Sequence, residues 1–259
     1  MADRPGPRPR KARLDDRLVA LGLADNRSRA RALIMAGKVR VGDRRVDKPG
    51  TPVASDADIR LDTPDHPWAS RGGLKLVGAL NHFALDVSGC VALDLGASTG
   101  GFTDVLLSRG VAHVHAVDVG YGQLHWRLRQ DARVTVHDRT NVRHLTLEQL
   151  GQGPMVITAD LSFIGLEVAL PAALALAAPG ALLIALIKPQ FEVGPGLVGK
   201  GGIVRDSALH AAVTARIATW LERQMGWQVL GIADSPVTGA DGNREFLVAA
   251  RRPAESAGA

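Results

Sequence analysis

Over about 180 residues the chain switches between short apolar runs and amphipathic stretches, and this alternation limits what it can fold into. Runs at 91–95, 112–118, 133–136, 155–160, 181–187, 227–233 and 245–250 have the length and composition of strands, whereas 102–109, 121–130, 164–178 and 207–224 carry helical spacing. Strands separated by helices pair in parallel, so the expected fold class is α/β: a mostly parallel central sheet wrapped by helices. Ligands of such sheets sit at the carboxyl ends of the strands, where the strand order reverses. The most apolar stretch, residues 168–187, is broken by Pro171, Pro179 and Gly180, and neither piece reaches the ~20 residues of a membrane span. It reads as a buried helix, a turn and a buried strand, which leaves a membrane role without support.

The first quarter of the chain has a different character. Residues 1–60 hold fifteen Lys or Arg against eight Asp or Glu, and the remainder is slightly acidic, so the net charge of +5 is an N-terminal property. A localised basic surface suits a polyanionic partner, because neutralised phosphates release their counterions. The basic start is followed by no apolar segment of the secretory kind, and the single Cys90 rules out an internal disulfide or a zinc site built on cysteine pairs. A reducing, cytoplasmic setting and no metal are expected. Residues 1–12 read as a flexible basic tail. After it come a short helix from Leu14 closed by Gly22, a helix over 27–36 capped by Asp25 or Asn26, and a hairpin in which 38–41 turns at Gly42-Asp43 and returns over 44–46.

Residues 13–61, with the Arg-rich helix, the hairpin and the later Lys48-Pro49-Gly50, resemble the S4-like RNA-binding domain. The resemblance implies a small α+β module that lies against structured RNA and reads phosphate shape. Its candidate contacts are Arg13, Arg17, Arg27, Arg29 and Arg31 from the helices, and Lys38, Arg40, Arg44, Arg45 and Lys48 from the hairpin and beyond. Residues 62–70 read as a linker, 71–252 as the second domain and 253–259 as a tail.

The first strand of the second domain runs through Asp94 into a glycine-rich turn, Gly96-Ala97-Ser98-Thr99-Gly100-Gly101, and then a helix from Phe102. Glycines there let a ligand approach the backbone. The spacing differs from the Gly-x-Gly-x-x-Gly of dinucleotide sites. It is similar to the first motif of S-adenosylmethionine-dependent methyltransferases, which implies that Asp94 and residues 96–102 hold that cofactor. Asp118 ends the next strand about twenty residues on, the offset of a ribose-binding acid. Asp138 ends the strand after it; the resemblance puts it near the adenine, with Val119 and Tyr121 nearby.

Four further polar residues stand in apolar or glycine-rich surroundings: Lys75, Asp160, Lys188 and Glu245. A lysine ending a seven-residue apolar strand is costly to bury charged unless paired, and Asp160 ends what should be a neighbouring strand. Their order is similar to the Lys-Asp-Lys-Glu tetrad of the FtsJ-like ribose 2′-O-methyltransferases. With DLGASTGGFTD, VDVGYGQL, ADLSFI, KPQFE, GKGGIVRD and SPVTGADGNREF, residues 13–250 resemble the TlyA (haemolysin A) family of RNA methyltransferases. The resemblance implies transfer from S-adenosylmethionine to a ribose 2′-hydroxyl of RNA, with ribosomal RNA or a ribosomal subunit as partner and no obligate protein partner. Lys188 would lie nearest the hydroxyl, Lys75 and Asp160 would set its charge and orientation, Glu245 would complete the network, and Asp160 would also border the cofactor. Two other readings follow from the haemolysin name and from the fold: a membrane-active protein, for which the chain offers only broken, core-like apolar segments, and an RNA-binding protein without catalysis, against which the intact tetrad weighs.

Overall fold

In the computed structural model the described residues are 11–24, 26–61, 66–239 and 242–254. The chain divides into two units, 1–67 and 68–259.

In the first unit β1 (Lys11–Arg13) leads into α1 (Leu14–Ala20) and α2 (Arg27–Met35), followed by β2 (Val39–Val41), β3 (Arg44–Arg45), β4 (Pro52–Ala54) and β5 (Ile59–Leu61). The hairpin of β2 and β3 turns at Gly42-Asp43, and β5 joins the other edge of β2, all antiparallel. Asn26 caps α2 by accepting the Arg29 amide at 2.9 Å; Asp25 lies outside the described residues. Leu14, Leu18, Ala30, Ile34, Val39, Val53 and Ile59 fill one small core. Lys11 and Ala12, expected in a tail, instead pair with β4, opposite Ala54 and Val53. Residues 1–10 of that expected tail, 62–65 of the linker and 255–259 lie outside the described residues.

The second unit begins with α3 (Gly72–His82). There follow β6 (Val91–Leu95), α4 (Gly101–Ser108), β7 (His113–Val117), α5 (Trp126–Arg129), β8 (Val134–His137), α6 (Leu147–Leu150) and β9 (Val156–Ala159). Then come α7 (Leu166–Ala169), α8 (Pro171–Leu176), β10 (Leu182–Ile187), α9 (Pro189–Glu192), α10 (Ser207–Arg223), β11 (Gln228–Asp234) and β12 (Phe246–Arg251). Seven strands form one sheet in the order β11-β12-β10-β9-β6-β7-β8. The five from β10 to β8 are parallel, and β12 runs antiparallel to both β10 and β11. Both faces are covered: α7, α8 and α10 pack on one through residues such as Leu170, Ile217 and Trp220, and α3 and α4 on the other through Leu76, Leu80 and Leu106. That double burial explains why the central strands read as unbroken apolar runs rather than alternating ones.

Three local differences separate the observed helices from the expected ones. The helix α3 carries Gly72, Gly73 and Gly78, which weaken its sequence signal, yet a Cβ at Gly73 would come within 2.6 Å of the Trp68 ring and one at Gly78 within 2.7 Å of Pro236. Trp68 therefore belongs to the second unit, and the linker ends sooner than expected. The stretch 121–130 is helical only over α5. Proline at the first position of α8 splits 164–178 into two short helices.

Asp94 stands in the middle of the sheet, wholly buried, with its carboxylate accepting Thr103 Oγ1 at 2.6 Å and Thr158 Oγ1 at 2.9 Å. Burial raises its pKa to about 6, against the two hydroxyl hydrogen bonds that favour the charged form. A carboxyl that binds its proton more tightly folded than unfolded stabilises the fold most at low pH, and that contribution fades as the pH rises from about 4 through about 6. In urea unfolding, the stability of wild type relative to Asp94→Asn should fall by roughly 2 kcal/mol between pH 4 and pH 7; a pH-independent difference would contradict the assignment.

Candidate active site

The strand order reverses beside β6, whose neighbours are β7 on one side and β9 on the other. The loop leaving β6 at Gly96 and the loop leaving β9 at Asp160 meet there. Gly96 has φ +77°, and a Cβ on it would stand 2.7 Å from the Asp160 carbonyl oxygen, so this position requires glycine for both reasons. A Cβ at Gly101 would overlap Ser70 Oγ. The amides of Gly96 and Ala97 donate to Val117 O, and Asp118 accepts the Ser98 amide at 2.8 Å and the Gly120 amide at 2.7 Å.

Around this loop lies a cavity of about 620 Å³, within the usual range for a small-molecule site. Gly96, Ala97, Ser98, Thr99, Gly101 and Phe102 line it together with Lys75, Asp160, Lys188 and Glu245. The four charged residues come from separate elements: Lys75 from the first turn of α3, Asp160 and Lys188 from the ends of β9 and β10, and Glu245 from the residue before β12. Because β12 is antiparallel to β10, with Ile187 opposite Phe246, its start falls beside the end of β10. Lys188 Nζ is 2.6 Å from Asp160 Oδ1; Lys75 Nζ is 3.8 Å from Asp160 Oδ2 and 2.7 Å from Glu245 Oε2. The result is one chain of alternating charge, Glu245 to Lys75 to Asp160 to Lys188. Lys188 and Glu245 are almost fully buried, and each charge in the chain has an opposite partner, as burial demands.

Several expected cofactor contacts are placed elsewhere. Asp94 is sealed inside the sheet beneath the loop. Gly100 caps α4 with φ +97°, and a Cβ there would run into Leu124. Asp118 holds the loop through two amides but does not line the cavity. Val119 and Tyr121 are largely exposed, with the Arg139 guanidinium 4.5 Å from the Tyr121 ring centre, and Asp138 pairs with Arg129 at 2.9 Å. The sequence reading left without a role Ser162, whose hydroxyl accepts from Lys188 Nζ at 3.0 Å, and Phe163 and Phe191, whose rings are 5.1 Å apart on the cavity wall. All three lie in the quoted motifs ADLSFI and KPQFE, which was the available signal.

Glu192 was also missed. It is buried, accepts the Leu166 amide at 2.9 Å and takes Arg216 Nη2 at 3.0 Å, and burial pushes its pKa up. One carboxylate thus ties the end of the Asp160 loop to the segment that follows Lys188.

In the first unit the basic residues divide into two groups. Arg13 grips the buried Asp15 through two hydrogen bonds of 3.0 and 2.9 Å, and Arg27 reaches the same carboxylate at 3.3 Å. The Arg13 hydrogen bond chiefly holds the Asp15 pKa down at about 2. These two arginines fix the start of α1 against α2 rather than standing free. Arg17 donates to Ser55 O and Arg40 to Asp43 O. Arg29, Arg31, Lys38, Arg44 and Lys48 are exposed, with no carboxylate partner among the described residues, and Arg45 is exposed as well.

A doubly covered, mostly parallel sheet with a glycine loop at its reversal point and a Lys-Asp-Lys-Glu chain beside it has the layout of a methyltransferase. Residues 68–252 match the FtsJ-like methyltransferase family and residues 12–59 match the S4 domain, and the chain belongs to the FtsJ-like family. It is 49% identical to the 16S/23S rRNA (cytidine-2′-O)-methyltransferase TlyA of Mycobacterium tuberculosis over 92% of this chain and 89% of that one. It is 35% identical to Hemolysin A of Brachyspira hyodysenteriae, covering 91% of this chain and 98% of that one. A solved hemolysin-labelled structure from Streptococcus thermophilus superposes with a TM-score of 0.72 at 39% identity, covering 95% of this chain and 90% of that one. Among the described residues, no helix is long and apolar enough to cross a membrane.

Glu245 leaves no room for a side chain opposite it, since a Cβ at Gly239 would overlap its Oε1. Gly239→Ala should displace Glu245 and lower kcat for methyl transfer at least tenfold, while circular dichroism stays that of the wild type; unchanged kcat would show that the position of Glu245 is immaterial.

Proposed function

We propose that this chain transfers a methyl group from S-adenosylmethionine to a ribose 2′-hydroxyl of ribosomal RNA in the cytoplasm. The observation that carries the reading is the charge chain ending on Lys188 inside the glycine-loop cavity, and its membership in the FtsJ-like family together with the likeness to an enzyme named for rRNA cytidine-2′-O-methylation supports the substrate.

The cradle fits an adenosyl cofactor: Gly96, Ala97, Ser98, Thr99 and Gly101 line one wall of the cavity, and the absence of side chains at the two glycines lets the Asp160 loop and Ser70 close against the turn. Asp118 acts by holding Ser98 in place. When bound, S-adenosylmethionine supplies an electrophilic methyl group. A ribose hydroxyl is a poor nucleophile, and the protein's task is to hold it in line and take its proton. Lys188 stands as an ammonium in its ion pair, and once that proton has passed to solvent its Nζ accepts the hydroxyl proton; Asp160, at 2.6 Å, stabilises the ammonium that results. Lys75 shares the Asp160 carboxylate, and Glu245 neutralises Lys75, so a proton arriving at Lys188 meets a compensated neighbourhood.

The first unit contributes grip. Arg29, Arg31, Lys38, Arg44 and Lys48 present free cations to phosphates, a mode of contact that positions an RNA without reading its bases. Extruding a target nucleotide costs a few kcal/mol, and such contacts offset it.

Tritium transfer from labelled cofactor to ribosomal RNA tests the reaction. Wild type should transfer label, and Lys188→Ala should lower the rate about 10²–10⁴-fold while RNA affinity stays unchanged. Absence of label in RNA with the wild-type protein would refute the proposal. Separately, Arg29→Ala with Arg31→Ala should weaken RNA binding and flatten the slope of log affinity against log salt by about 1–2; an unaltered slope would remove these two residues from the RNA interface.

A further inference from the structure

Lys188 has a second polar neighbour besides Asp160, and the geometry of an amine gives that neighbour a function. A neutral lysine nitrogen has four directions: one to its own carbon, two hydrogens and a lone pair. A hydrogen held by a fixed acceptor narrows the directions left to the lone pair. In this structure Nζ lies 2.6 Å from Asp160 Oδ1 and donates to Ser162 Oγ at 3.0 Å. Both acceptors stand on the loop that leaves β9, and both line the same cavity.

We propose that Ser162 is a positioning residue for methyl transfer: by accepting an Nζ hydrogen of Lys188, beside the ion pair with Asp160, it limits rotation about the Cε–Nζ bond and holds the lone pair of the neutral amine on the substrate side of the cavity. The inference rests on the ribose-methylation reading above and adds a residue outside the Lys-Asp-Lys-Glu chain. Without Ser162 the amine rotates about its Cε–Nζ bond with a single anchor, and its lone pair points at the hydroxyl for only part of the time. With it, the amine is aligned before the substrate arrives. The proton account closes in three parts. The oxygen–methyl bond forms as the sulfur–methyl bond breaks, with the breaking bond's electrons remaining on sulfur. The hydroxyl proton passes to Nζ, and the new ammonium is held by the charge of Asp160 and the hydroxyl of Ser162. The proton leaves to solvent after product release.

Ser162 is itself held in place. Asp160 two residues earlier donates its amide to Leu95 O at 3.0 Å. Phe163, the next residue, has φ +65°, a conformation that a large side chain adopts only when its surroundings impose it, and its ring packs on Phe191. The far end of the loop is anchored where the Leu166 amide meets Glu192. Phe191 and Glu192 both belong to α9, which begins immediately after Lys188. The serine and the lysine are therefore braced against each other by the same short segment.

Ser162 is exposed, so its replacement leaves the fold intact, and the test uses the full chain with ribosomal RNA and labelled cofactor. Ser162→Ala should lower kcat about tenfold or more with KM for RNA and for cofactor unchanged, and Ser162→Thr, which keeps the hydroxyl, should restore kcat to within about threefold of wild type. In the ligand-free protein, lysine side-chain ¹⁵N spectra should show the Lys188 Nζ hydrogens exchanging faster in Ser162→Ala than in wild type, with the signal assigned by its loss in Lys188→Arg. Three results would overturn the proposal: wild-type kcat in Ser162→Ala, an effect confined to KM for RNA, or equal losses in Ala and Thr. If the wild-type protein transfers no label, the methylation reading itself has failed and the inference falls with it. If wild type is active and Ser162→Ala matches it, the inference alone has failed.

Discussion

An ammonium group at the end of a wholly apolar strand is the constraint on which the second unit turns. Lys188 follows six buried residues, Leu182 to Ile187, and is itself 7% exposed. Left unpaired it would cost several kcal/mol. The sheet supplies Asp160 from the adjacent strand end, which places a negative charge next to the glycine loop. Asp160 in turn draws on Lys75, and Lys75 on Glu245. A single buried cation thereby recruits residues from α3, two parallel strands and the one antiparallel strand into a common site.

The antiparallel strand is essential to that arrangement. Had β12 run parallel to β10, its start would lie at the opposite edge of the sheet, and Glu245 would be a full strand length from Lys75. The register Ile187 opposite Phe246 puts the start of one strand against the end of the other. Gly239 and the buried Asn243 reinforce this corner: Asn243 donates to Gly202 O at 3.0 Å and accepts from the Val204 amide at 3.2 Å, so the loop preceding β12 is fastened to the one preceding α10.

The strands and the convergence of the four charged residues were legible because burial on both faces leaves an unmistakable apolar signature and a charge at its end stands out. Other features were hidden for identifiable reasons. The strands β1, β4 and β5 are only three residues long, too short to show a period. The helix α3 is disguised by glycines that serve packing against Trp68 and Pro236. Asp94 looked like a ligand contact because it precedes the glycine turn, but a strand alternates its side chains, and its neighbours Thr103 and Thr158 claim both oxygens. Charge counting likewise does not reveal that Arg13 and Arg27 hold the buried Asp15 between them. Ser162 sits inside the motif ADLSFI, but its part shows only in its distance to Lys188.

The central claim is that the charge chain around Lys188 methylates a ribose oxygen of ribosomal RNA. The most direct measurement is a mass-spectrometric map of ribose methylation on ribosomal RNA from cells with the gene intact, deleted, or restored as Lys188→Ala. The account requires at least one 2′-O-methyl mark that is present with the intact gene and missing in both of the other strains. A map identical in all three would contradict it, whatever the fold.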